Sequence, residues 1–148
     1  MSFLTGMKIS ASGLAAERIR MNVISENIAQ ANTTRAEDGT LSPYKRKDVV
    51  FSAANTGSSF DNLMRQAFDP NLKEVKVDGI VEDKRPPKMV YNPGHPDADK
   101  NGNVAMPNIS IMEEMVNLIT SSRSFESNAT AMNATKQMAQ SAITIGRG

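Results

Sequence analysis

The run SIMEEMVNLITSSRSFESNATAMNATKQMAQSAI, residues 110–143, decides the fold. Met115, Leu118, Phe125, Ala129, Met132, Ala139 and Ile143 recur in it at spacings of three, four and seven, with Ser122 and Lys136 as interruptions. Residues so spaced share one face of an α-helix. Ile111, Met112, Val116 and Ile119 thicken the stripe at its start. Ser110, with Glu113 three residues on, has the form of a capping box, and Pro107 lies upstream where it cannot interrupt the helix. The acidic pair Glu113-Glu114 falls in the first turn, where the helix dipole favours negative charge.

Residues 3–31 carry the same signal at the other end of the chain. Met7, Ala11, Leu14, Met21 and Ile28 form one stripe, interrupted by Arg18 and Ser25 and widened by Leu4, Ala15, Ile24 and Ala31. The helix is expected to end over residues 31–34, where an Asn and two Thr side chains compete for the backbone. Each helix would run about 28–34 residues, roughly 45 Å at 1.5 Å per residue. Periodic patterns of that length point to a coiled coil or a bundle. The expected fold is mainly α with a small β insert, its long N- and C-terminal amphipathic helices paired as a coiled-coil-like hairpin.

Both stripes are rich in Ala and Met, which suit close and irregular packing against several neighbours. Asn22, Asn27, Asn32, Asn128 and Asn133 lie within the helical stretches. An Asn on a packing seam restricts register and partner geometry; one facing water does neither. The candidate assembly residues are Met7, Leu14, Met21, Asn27, Ile28 and Asn32 on the first helix. On the second they are Met115, Leu118, Phe125, Met132 and Ile143.

The middle of the chain alternates instead. Residues 44–51 read as a strand ending in Val49, Val50 and Phe51. Residues 58–68, with Phe60, Leu63, Met64 and Phe68, read as a short helix or a loop ordered on assembly. Val75 and Val77 alternate with Glu74, Lys76 and Asp78, and Ile80-Val81 continues that strand beyond Asp78-Gly79. Residues 88–91 are expected to pair antiparallel with it across Arg85-Pro86-Pro87. The division is an N-terminal helix (1–35), a β-rich middle (36–107) and a C-terminal helix (108–148), together one structural domain.

The 148 residues suffice for one core, yet only 5% are aromatic and none is Trp. The net charge is +1, and the run Lys45-Arg46-Lys47, followed at once by Asp48, reads as a solvated strand edge, so nucleic acid is not expected as a partner. With no Cys there are no disulfides, no thiolate chemistry and no Cys-based zinc site. That suits a chain crossing a membrane unfolded. Lys8, Glu17, Arg18 and Arg20 break the first twenty residues, which hold no secretory apolar run. No spanning segment is present, so direct membrane insertion is not expected.

Asp97-Ala98-Asp99-Lys100-Asn101-Gly102-Asn103-Val104 matches the first two-thirds of a calcium loop, but its twelfth position is Asn108 rather than a bidentate Glu. The run Asn92-Pro93-Gly94-His95-Pro96 before it cannot be a helix. A polar turn accounts for it. His95 is the only histidine and has no nucleophile in a recognisable setting. No glycine-rich phosphate loop follows a strand. No enzyme activity and no cofactor are expected.

The run SASGLAAERIRMNVISENIAQANTT, residues 10–34, resembles the N-terminal signature of bacterial flagellar axial proteins, the rod, hook and hook-associated family. Its core is Ser12-Gly13-Leu14, then Arg18, Asn22, Asn27-Ile28-Ala29 and Ala31-Asn32-Thr33. EEMVNLITSSRSFESNATAMNATKQMAQSAITIGR, residues 113–147, resembles the other end of that family, and VYNPGHPDADKNGNVAMPNI, residues 90–109, narrows the likeness to its basal-body rod branch. Two departures, the longer stretch 35–42 and Glu74 in place of a common Gly, bear on local loop contacts. The resemblance implies a subunit of the proximal rod, the hollow drive shaft that transmits torque. It implies export through the flagellar type III apparatus without signal cleavage, and helical assembly with other rod proteins and with copies of itself. Two rival readings are a calcium-binding module on Asp97, Asp99 and Asn101, and a helical adaptor that stays in the cytoplasm.

Overall fold

The computed structural model of the chain describes residues 3–36, 39–54 and 73–146. Its elements are α1 (Phe3–Ala29), β1 (Lys47–Ala54), β2 (Glu74–Glu82), β3 (Lys88–Tyr91), β4 (Asn103–Met106) and α2 (Ile111–Ile145). The helix or loop expected over residues 58–68 lies outside the described residues.

Both helix ends form as the side chains direct. α1 tightens as it stops, with Ala31 N–H donating to the Ile28 carbonyl at 3.3 Å and Thr33 N–H to the Gln30 carbonyl at 3.1 Å. The Thr33 hydroxyl holds Gln30 Oε1 at 2.6 Å. α2 starts on Ser110, whose carbonyl accepts from Glu114 N–H at 3.0 Å. Its hydroxyl meets Glu113 N–H at 3.5 Å, the donor that an N-cap side chain serves. Among the described residues no helix is long and apolar enough to cross a membrane.

The strands form two ribbons, β1 with β2 and β3 with β4. This corrects the expected pairing of residues 88–91 with the strand before them. β3 runs antiparallel to β4 instead, with Lys88 opposite Met106 and Tyr91 opposite Asn103. The end of β2 is already taken, because Asp83 N–H donates to the Arg46 carbonyl at 2.7 Å. Pro86 and Pro87 offer no N–H to carry a ladder across the connection. β1 also starts later than expected, at Lys47, because Tyr44 N–H turns back to the Thr33 carbonyl at 3.3 Å.

The calcium-like run is the loop that closes β3 on β4. Asp99 Oδ1 accepts from the N–H groups of Asn101 at 2.8 Å and Asn103 at 2.9 Å. Gly102 turns the chain with φ +77°, and a Cβ there would stand 3.0 Å from Tyr91 Cε2. Val104, at the loop's eighth position, is the most buried apolar side chain of the hairpin.

The chain divides into two compact units. One holds Met1–Ile19, Val50–Gly79 and Ser121–Gly148; the other holds Arg20–Val49 and Ile80–Thr120. In the first, Ala16 and Ser121 are buried; in the second, Val23, Ile24, Asn27, Ala31, Val104 and Glu114 are. Polar groups thus make up a large part of the covered interior.

The covered face of α1 overlaps the expected stripe only at its widened side, through Ile24 and Ala31. Ala16, Val23, Ile24, Asn27 and Ala31 are buried, whereas Met7, Leu14, Met21 and Ile28 are half-buried, about a third of a turn away around the helix. Ile24 and Ala31, on the side where the stripe widens, share this face with Ala16, Val23 and Asn27, so apolar, small and polar residues are covered together. The start of α2 differs too. Ile111, Met112, Met115, Val116 and Ile119 form an exposed face instead of thickening a buried stripe.

Candidate functional site

Within the second unit the side chain of Asn27 is wholly buried, and every hydrogen-bonding position on it is used. Its Nδ2 donates to the Lys47 carbonyl at 2.8 Å and to Glu114 Oε2 at 3.2 Å. Its Oδ1 accepts from Lys47 N–H at 2.9 Å and from the Tyr44 hydroxyl at 3.3 Å. The amide therefore pairs with the Lys47 backbone as a neighbouring strand would, at the place where β1 begins. Asp lacks the donors for this set, and Ala lacks all of it.

Glu114, 1% exposed, is the second pole of this node. Its Oε1 accepts from Arg46 Nε at 2.8 Å, and Arg46 Nη1 reaches Asp48 at 3.2 Å. Burial pulls the Arg46 guanidinium down, but its bond to Glu114 and the charges of Glu114 and Asp48 outweigh it and hold the pKa above its ordinary value. Lys47 Nζ donates to Glu26 at 2.6 Å, which lowers the Glu26 pKa, and stands 5.2 Å from the centre of the Tyr44 ring. A cavity of about 200 Å³ lies beside the node, walled by Arg20, Arg46, Lys47, Asp48, Glu114 and Asn117 over Val23, Ile24 and Val49.

A second tie in the same unit joins the exit of α1 to the β3–β4 loop. Asp97 accepts from the Thr34 hydroxyl at 2.7 Å and from Arg35 Nε at 2.8 Å, with Arg35 Nη2 making the second arm of the fork. The Arg35 fork and the Thr34 hydroxyl hold the Asp97 pKa below the usual carboxylate range. The carboxylates of the calcium-like run, which the rival reading would make ligands, therefore face donors of their own chain. Among the described residues no group of three or more His, Asp or Glu side chains converges as metal ligands.

In the first unit the two helices meet through smaller groups. A Cβ on Gly13 would stand 3.2 Å from Asn128 Nδ2, so only glycine fits there without a shift. Ser121 Oγ donates to Glu17 Oε2 at 2.5 Å and is fully buried. Gly13 facing Asn128 and Glu17 facing Ser121 make the helices antiparallel along this stretch.

Two families match in sequence. Residues 7–36 match the family described as "Flagella basal body rod protein", and residues 100–145 match "Flagellar basal body rod FlgEFG protein C-terminal". The flagellar basal-body rod protein FlgC of Bacillus subtilis (strain 168) is 41% identical over 99% of this chain and 100% of its own length. That of Borreliella burgdorferi is 36% identical over 100% of both chains, and that of Salmonella typhimurium 38% over 99% and 100%. The chain belongs to the FlgC family of flagellar basal-body rod proteins.

The two matched segments of this FlgC-family chain cover most of α1 and α2, where the candidate assembly residues lie. On α1, Met7, Leu14, Met21 and Ile28 are half-buried and Asn27 is enclosed in the node; Asn32 lies in the turn beyond the helix end and is exposed. On α2, Leu118, Phe125 and Met132 are half-buried, while Met115 and Ile143 are 49% and 62% exposed. Sequence reasoning misses Tyr44, Arg46, Glu114 and Ser121 as contact residues, and leaves Asn128 open between a packing seam and water. Arg46 reads as solvated, and Glu114 as a dipole partner only. A signal for α2 is present all the same, because Glu114, Ser121 and Asn128 recur every seven residues and put a polar row on its covered face.

Proposed function

We propose that this chain is a structural subunit of the flagellar basal-body rod, located in the basal body and assembled with other rod components. One observation carries the reading: relatives named as rod proteins match it from end to end at 36–41% identity. The role is structural and not enzymatic.

Finer features extend this reading. The subunit belongs to the proximal rod and leaves the cell by the flagellar type III route with its N-terminus intact, which a terminal-peptide mass from basal bodies checks. Residues 1–35 and 108–148 form the rod core, pairing in coiled-coil fashion, and residues 36–107 are a β-rich middle; together they make one structural domain. Met7, Leu14, Met21, Ile28, Leu118, Phe125 and Met132, with the exposed Met115 and Ile143, supply the packing between subunits. The half-buried state of the first seven supports this, since side chains left partly open retain apolar area for a neighbour. An open-ended rod needs heterologous contacts, in which different faces of like subunits meet.

The test is incorporation. Leu14→Asp and Met132→Asp chains are expected to be exported but absent from isolated basal bodies, leaving cells non-motile. Normal motility with either would remove these stripes from the rod's packing.

A further inference from the structure

We propose that Asn27, Glu114 and Arg46 form a latch: α1 and α2 close in one register only when the start of β1 is docked between the groups that hold it. The latch rests on the geometry of the node and not on the rod reading.

The partners come from four places in the chain. Asn27 lies near the end of α1, Tyr44 and Arg46 in the approach to β1, Lys47 at its first position, and Glu114 in the first turn of α2. Sequence separations of 20, 68 and 87 residues join them, so no local segment satisfies these groups together; only Arg46 has a partner close in sequence, Asp48. Asn27 uses both donors and both acceptor positions, and Glu114 has one oxygen on Asn27 and the other on Arg46. A partly closed arrangement buries a carboxylate or an amide without partners, which is more costly than leaving the group in water. The open chain, with every group hydrated, and the fully closed chain are therefore both satisfied, and intermediates between them are not. A slip by one heptad would bring Arg20 or Thr34 to the position of Asn27, and neither offers an amide that pairs with the Lys47 backbone.

The experiment is hydrogen exchange by mass spectrometry on the full-length chain, free and in isolated basal bodies. It is read over the peptides holding Lys47 and residues 111–120. The variants are Asn27→Asp, Glu114→Gln, both together, and Tyr44→Phe as a mild control. Glu114→Gln leaves every bond of the Lys47 amide untouched, yet the latch predicts about tenfold or faster exchange there, because one amide oxygen now has to serve the two donors, Asn27 Nδ2 and Arg46 Nε, that the two carboxylate oxygens accept from. Asn27→Asp sets two carboxylates against each other and should open both peptides together. The double variant restores a donor–acceptor pair with the roles reversed, an amide at position 114 donating to a carboxylate at position 27. Its exchange should fall below that of Asn27→Asp alone. Tyr44→Phe should leave both peptides near wild type. The latch is overturned if Lys47 is unprotected in the wild-type chain in both settings. It is equally overturned if Glu114→Gln changes only residues 111–120, or if the double variant is no better than Asn27→Asp.

Discussion

The same two helices are held by different chemistry in the two compact units. Around Asn27 and Glu114, the contacts are charged, saturated and buttressed by the start of β1. Around Gly13 and Asn128, they depend on a missing side chain, and one short bond from Ser121 to Glu17 adds to it. The first arrangement is specific because a buried ion pair tolerates few alternatives. The second is specific because of shape, and it tolerates substitution to the extent that Asn128 can shift. Among the described residues, the fully buried positions on the two helices mix polar with apolar side chains in both units. Met7, Leu14, Met21 and Ile28 stay half-buried on α1, and Met112, Met115, Val116 and Ile119 are exposed at the start of α2. A monomer built this way retains apolar surface for its neighbours.

The largest effect is expected from Glu114→Ala. It strands Asn27 and Arg46 together, and should cost about 3 kcal/mol, the low end for breaking a buried pair because Arg46 keeps 20% of its side chain exposed. Urea unfolding of the full-length chain measures it, and a loss under about 1 kcal/mol would erase the contrast between the units. Gly13→Leu should cost about 1–3 kcal/mol by overpacking against Asn128. Gly13→Ala should be close to neutral in the same assay, since about 1 kcal/mol of helix propensity offsets a displacement of Asn128. A severe Gly13→Ala would mean that shape is as strict there as charge is at the node.

A third test uses pH. The pKa values of Asp97, Glu26 and Asp83 are lowered, through Arg35 and Thr34, Lys47, and Arg85 respectively. A group lowered in the folded state adds stability that is present above its unfolded pKa, near 4, and is lost as pH falls through the lower folded value. Thermal melts should therefore be flat near neutrality and fall on acidification below pH ~4. Asp97→Asn should shrink that acid-side fall while lowering Tm at neutral pH. An unchanged profile would separate the Arg35 fork from stability. The smallest effect is expected from Met112→Ser, a change on a side chain 75% exposed. Monomer stability should stay within about 0.5 kcal/mol, while the variant's share of assembled basal bodies drops. Full incorporation would remove that exposed face from the interfaces of the rod.

Much of the architecture is legible in the sequence. α2 begins where Ser110 and Pro107 place it, and α1 stops close to the Asn-Thr-Thr run, because caps and breakers act over a few residues. The strand at Val75 and Val77 likewise declares itself by alternation. Which face of each helix is covered is legible only in part, since Ile24 and Ala31 belong to the expected stripe and Ala16 and Val23 do not. Periodicity locates the apolar stripe but cannot tell that small and polar residues such as Ala16, Asn27 and Ser121 are covered beside Val23 and Ile24. The pairing of β3 with β4 escapes a reading that joins each strand to the nearer one, whereas the turn chemistry of Asp99 and Gly102 points onward. Arg46 and Glu114 look ordinary in sequence, since each depends on a partner 68 positions away.

Whether this chain is built into the rod is measured most directly by mass spectrometry of purified, detergent-washed basal bodies from the source cell. A structural subunit is expected there in fixed ratio to ring and hook proteins. Intact basal bodies that lack it would contradict the structural role, and a helical adaptor retained in the cytoplasm would take its place.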